Sequence, residues 1–95
     1  MPRRKSEEER PSTDLSDAYR TLNPNEFLNL ARSKKGELVR LEIPVASVDR
    51  VLLFGFVNAV PEGFREINII GNEEELRHFE IKFSNLMQYV KLKQV

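Results

Sequence analysis

The apolar residues of this chain change period at Gly36. Before it, Phe27, Leu28, Leu30 and Ala31 recur at helical spacing; after it, Val39, Leu41, Ile43 and Val45 alternate with Leu38, Arg40, Glu42 and Pro44. A helical period marks one buried face of a helix and a period of two marks one buried face of a strand, so a helix must hand over to a strand within a few residues. Both ends of the helix are signposted. Asn23 is placed to cap it, Pro24 takes the first helical position and Glu26 completes a capping box. Lys34 and Lys35 suit the negative end of the helix dipole, and Gly36 is a natural stop.

The remaining segments follow from this frame. Residues 1–12 hold almost nothing that can be buried and read as a disordered tail, leaving 13–95 as one domain. Leu15, Ala18, Tyr19 and Leu22 fall at helical spacing, with Thr13 or Asp14 as the cap. The apolar run at 50–60, with Gly55 at its centre, reads as a bent second strand. Pro61-Glu62-Gly63 is a turn. Phe64–Ile70 reads as the third strand, Leu76–Phe83 as the fourth and Tyr89–Val95 as a short fifth, with Ser84–Met87 as a tight link. The predicted class is mainly β with an N-terminal helix: a small, strongly bent five-stranded antiparallel β-barrel.

Composition narrows the chemistry. There are no cysteines, which excludes disulfides and thiolate metal sites. Fifteen Lys and Arg balance fifteen Asp and Glu, so no global positive charge argues for nucleic acid. No apolar run approaches the roughly twenty residues needed to span a membrane. Arg3, Arg4 and Lys5 are followed by Glu7, Glu8 and Glu9 and not by an apolar stretch, so the start is no secretory signal and the expected compartment is the cytoplasm. His78 is the single histidine, and with no second histidine or cysteine it reads as a surface or interface residue. No phosphate loop or nucleophile elbow is present. A non-enzymatic protein without cofactor is expected.

Four segments together resemble the Sm-like class, which includes bacterial Hfq and archaeal Sm proteins. They are Asn-Pro-Asn-Glu-Phe-Leu-Asn-Leu-Ala-Arg leading into the first strand, the run Leu53 to Val60 around Gly55, Ile67-Asn68-Ile69-Ile70, and the run Ile81 to Val90. The family aspartate after the bent strand is Pro61 here, and the family Arg-Gly pair is Lys82-Phe83. The resemblance implies a homo-oligomeric ring, hexamer or heptamer, closed by pairing strand four of one copy with strand five of the next. It implies a pore that binds single-stranded, U-rich or A-rich RNA as a chaperone or scaffold. On that resemblance Asn68, Lys82, Ser84 and Asn85 line the pore, and Phe64 takes a stacking position in one alignment.

Each residue also has a plainer reading. Asn85 suits a turn after Ser84, Lys82 a solvated strand position, and Asn68 the outer face between Ile67 and Ile69. Phe79, Ile81 and Phe83 read as core or subunit interface. Two other functions fit the same barrel: a protein-interaction module without RNA binding, and a duplex-DNA binder using Arg3, Arg4 and Lys5.

Overall fold

The computed structural model describes residues 12–95. Strand β1 (Ser12–Asp14) leads to helices α1 (Ser16–Thr21) and α2 (Pro24–Ser33), then β2 (Leu38–Pro44). Helix α3 (Arg50–Ala59) follows, then β3 (Arg65–Gly71), α4 (Glu73–Lys82) and β4 (Lys91–Gln94), with 3-10 turns at Val45–Ser47 and Ser84–Tyr89. All four strands are parallel and lie in the order β1-β2-β3-β4. Parallel neighbours need a crossover, and here helices supply each one.

This corrects the expected five-stranded antiparallel barrel: the sheet is open, parallel and four-stranded. Two segments account for the difference. Residues 50–59 and 73–82 form helices, not strands. The apolar run 51–57 is compatible with either period, but Leu52, Leu53, Phe56, Val57 and Val60 are the buried members, which is helical spacing. Asp49 caps this helix by accepting from the Leu52 amide at 2.9 Å. Asn72 and Glu75 form a full capping box on α4, each side chain accepting the other's backbone N–H at 2.8 and 2.9 Å. Each cap fixes a first helical turn, and a strand cannot use it.

Other expectations hold. Asn23 accepts from the Glu26 amide at 2.9 Å and Pro24 opens α2. Strand β2 alternates between buried Val39, Leu41, Ile43 and exposed Arg40, Glu42, Pro44. In α1 the cap position is Leu15, and Asp14 instead accepts the Ser16 amide at 2.9 Å. The expected tail falls outside the described residues except for Ser12, which pairs with Leu38. Among the described residues no helix is long and apolar enough to cross a membrane.

A sheet whose strands follow in sequence, joined by crossovers of one hand, receives every helix on the same side. The burial agrees. Val39, Leu41, Ile43, Ile67 and Ile69 form the covered face, packed with Phe27, Leu53, Phe56, Phe79 and Leu86. Phe27 is the hub of the aromatic core, 5.4 Å edge-on to Tyr19 and 5.7 Å from Phe56 between ring centroids. The Tyr19 hydroxyl accepts the Asp49 amide at 2.8 Å and donates to the Asp49 carbonyl at 3.2 Å. That fastens α1 to the residue that caps α3. Burial also pushes the Tyr19 hydroxyl above its usual pKa, which keeps it a neutral donor.

Two glycines show where the layers are tightest. A Cβ on Gly71 would lie 2.9 Å from Val45 Cγ2 and 3.0 Å from the capping carboxylate of Glu75. A Cβ on Gly55 would meet only the flexible tip of Leu28, at 3.1 Å. The two alanine variants therefore differ in sign. Gly71→Ala should destabilise by about 1–3 kcal/mol, since the cap must shift. Gly55→Ala should be neutral or stabilising by up to about 1 kcal/mol through helix propensity. Urea unfolding of both variants checks this; equal losses would contradict the packing described.

Candidate functional site

The residues expected to share a pore do not come together. Asn68 lies on β3 with its side chain on the uncovered sheet face, donating to Glu66 Oε2 at 3.2 Å. Lys82 ends α4, with its ammonium 5.8 Å from the Phe83 ring centroid. Ser84 and Asn85 are exposed in the following 3-10 turn, where Asn85 accepts from Arg50 at 3.1 Å. Phe64 sits in the α3–β3 turn, and His78 is exposed on α4. Asn68 is thus separated from the other three by the thickness of the sheet, since α4 packs on the opposite face.

Besides depressions lined by Glu62, Arg65, Tyr89 and Lys91, by Asn72, Glu73, Glu74 and Arg77, and by Tyr19, Arg20, Ser47 and Asp49, three surfaces among the described residues bear on ligand binding. The first is the end of the sheet where the strands' carbonyl ends lie. Ligand crevices form there when strand order reverses, and this order never does. The N-termini of α3 and α4 are also already occupied by Asp49 and Asn72.

The second is the uncovered sheet face. Register sets Asp14, Arg40 and Glu66 side by side in one row. Arg40 pairs with Glu66 at 3.5 Å and Lys93 with Glu42 at 3.4 Å. Hydrogen bonds from Ser16, then the Arg40 charge, hold Asp14 below its usual pKa. The Asn68 amide, then Arg40 and Lys91, do the same for Glu66. These charges satisfy one another over a depression of only about 220 Å³, so little is left to attract a ligand.

The third is a groove of about 540 Å³ between the C-terminal ends of α2 and α3. Ala31, Ala59, Val60, Pro61 and Phe64 give it an apolar lining, and Arg32, Lys34 and Lys35 stand around it. Local sequence builds it. Gly36 at φ +87° turns the chain out of α2 and Gly63 at φ +94° turns it out of α3, both in the left-handed region that a Cβ disfavours. The Phe64 amide bonds the Pro61 carbonyl at 3.1 Å, and its carbonyl accepts from Val39 at 2.8 Å, which anchors the turn to the sheet. Arg65 donates to the Val60 and Val57 carbonyls at 2.6 and 3.3 Å, serving the carbonyl end of α3. Arg32 donates to Asn29 at 3.2 Å, while neither Lys34 nor Lys35 has an ion-pair partner among the described residues. The two lysines were legible as helix-end cations; their role beside an apolar groove depends on α3 being a helix.

Comparison of the chain with protein-family models, curated proteins and solved structures finds no match.

The sheet-face charges generate one prediction. Glu66 is depressed from its ordinary 4.5, so its contribution to stability is present above that value and lost as pH falls through its lower folded pKa. Asn68→Ala removes the first cause. The Glu66 carboxyl, followed by carbon NMR, should then titrate closer to 4.5, and the stability gap between the two proteins should narrow on acidification. An unchanged titration would show that Asn68 does not hold the carboxylate.

Proposed function

We propose that this chain is a protein-interaction module that binds an acidic segment of another protein, anchored by one apolar side chain in the α2–α3 groove. The observation that carries this is the pairing of an apolar lining with Lys34 and Lys35 at its rim, which have no ion-pair partner among the described residues. Its volume lies in the range of pre-formed ligand sites, roughly 300–1,000 Å³. The chemistry favours a peptide over RNA. Phe64 is the sole aromatic of the lining, and single-stranded nucleic acid is held by successive stacked bases. Neutral overall charge points the same way.

Magnitudes set the expected affinity. Burying one large apolar side chain contributes about 1.5–3 kcal/mol. Exposed ion pairs add about 0–1 kcal/mol each and mainly speed encounter. After the cost of association the complex should be weak, near micromolar or above.

The test is fluorescence anisotropy with a labelled peptide in which acidic residues flank one phenylalanine. Lys34→Glu combined with Lys35→Glu should weaken binding by about tenfold or more. Alanine in place of the peptide's phenylalanine should do likewise, and added salt should weaken binding. The same titration is run with oligouridine and oligoadenosine. Peptide binding indifferent to the lysine changes would sink the proposal. So would tighter binding of an oligonucleotide that is lost in a Lys82→Ala, Asn85→Ala variant; that result would return the function to single-stranded RNA.

A further inference from the structure

The ladder between β3 and β4 is incomplete. Strand β3 pairs with β2 from Arg65 onward, but with β4 only from Asn68, which lies opposite Lys91. The Phe64 carbonyl accepts from Val39 on the β2 side, and the Gly71 carbonyl accepts from Val95 on the β4 side. Alternate residues of a strand turn their backbone groups to alternate sides, so Arg65 and Ile67 face the β4 side with Gly71. The chain opposite them is a 3-10 turn and not a strand. A cavity of about 360 Å³ opens there, lined by residues 65–67 and 88–91 together with Leu38 and Glu62. Ile67 is buried, yet its N–H has no hydrogen-bond partner among the described residues. Buried backbone N–H groups are almost always paired, so this one marks a place for an acceptor.

The charges around the cavity are balanced. Two of them are engaged: Glu66 pairs with Arg40, and Arg65 donates to the carbonyls that end α3. The Arg65 guanidinium also lies 5.6 Å from the Tyr89 ring centroid, which holds that ring as a wall. Glu62 and Lys91 have no ion-pair partner among the described residues, and they do not reach each other. A ligand that answers both carries both signs.

We propose that this cavity binds a free α-amino acid with an apolar side chain. The free Ile67 N–H and the Arg65 carbonyl are the two groups that one residue of a parallel neighbour uses. The ligand takes that one ladder place, its ammonium donating to the Arg65 carbonyl and its carboxylate accepting from the Ile67 N–H. The charges are ordered along the same direction. Glu62 precedes Arg65 and faces the ammonium; Lys91 lies beyond Ile67 and faces the carboxylate. Leu38 and Val90 receive the side chain. A simple anion would leave Glu62 unanswered and a simple amine would leave Lys91 so. The volume suits a ligand of this size. The turn that gives Glu62 and Arg65 to this cavity gives Pro61 and Phe64 to the α2–α3 groove, but the proposal does not rest on occupation of that groove.

The test is a proton–nitrogen NMR titration of the full chain with L-leucine and L-phenylalanine. Each should shift the Ile67 and Lys91 amides saturably, with a dissociation constant near or below about 1 mM. N-acetyl-leucine lacks the ammonium and stands for a protein C-terminus; leucinamide lacks the carboxylate and stands for an N-terminus. Both should bind about tenfold or more weakly than leucine. Glu62→Gln should weaken leucine by about twofold to fivefold and leave N-acetyl-leucine unchanged; Lys91→Met should weaken leucine similarly and leave leucinamide unchanged. Both side chains are exposed, so the urea midpoint should not move. No saturable shift from either amino acid would overturn the proposal, as would shifts centred on the α2–α3 groove. Equal binding of leucine and either blocked form would overturn it too, by showing that the cavity takes a chain terminus.

Discussion

The parallel pairing of β2 with β3, from Val39 opposite Arg65 to Pro44 opposite Ile70, is the constraint on which the other elements depend. A parallel pair cannot be joined by a tight turn, so the chain between must cross over, and α3 is that crossover. The pairing also aligns Leu41 with Ile67 and Ile43 with Ile69, making one continuous apolar face. Helices α2, α3 and α4 then have one place to bury Phe27, Phe56 and Phe79. A slip of one residue in β2 would turn Arg40 and Glu42 into that layer and Leu41 out of it. The register is therefore held by the hydrophobic effect at least as firmly as by backbone hydrogen bonds.

Among the described residues no element covers the other sheet face, which is unusual for parallel strands. The chain answers with charges in register. Arg40 lies between Asp14 and Glu66, and Glu42 meets Lys93. Each exposed pair is worth little alone, about 0–1 kcal/mol, but like charges in the same rows would repel. The alternation therefore solubilises the face more than it stabilises the fold. It also explains why the face with the most charges is not the strongest site: its charges answer one another, whereas among the described residues Lys34 and Lys35 have no ion-pair partner.

The sequence was legible where two signals agreed. In α2, Asn23, Pro24 and the spacing of Phe27 and Ala31 all point to a helix, and it forms there. In β2 and β3 the alternation is clear, and both strands lie within a residue of their expected bounds. The reading failed where β-rich composition competed with a cap. Residues 51–57 are branched, aromatic and interrupted by Gly55, which is how a bent buried strand looks; Asp49 and the helical set 52, 53, 56, 57 and 60 are the better guide. In α4 the telling signal is the capping pair Asn72 and Glu75. Once those two segments are helices, strand–helix alternation implies a parallel sheet, and the residues aligned on a barrel pore scatter. The groove is not legible in the sequence, because Ala59 and Val60 line it only as the end of a helix.

Helix α3 concentrates the competing demands on this small domain. Its inward side supplies Leu53 and Phe56 to a core with little area to spare, and a chain of this size buries only a modest share of its surface. Its C-terminal end, with the turn after it, forms one wall of the groove. Its outward side exposes Val51 and Phe54, where charged residues would cost the core nothing and improve solubility. Stability of the lone chain does not require them there. The outward sides of the neighbouring helices carry Asn25, Asn29, Arg77 and Glu80, and α4 also exposes Ile81, so exposed apolar side chains are not confined to α3. The sheet face and the helix face are thus treated oppositely: charges answer one another across the first, while Val51 and Phe54 stand exposed on the second.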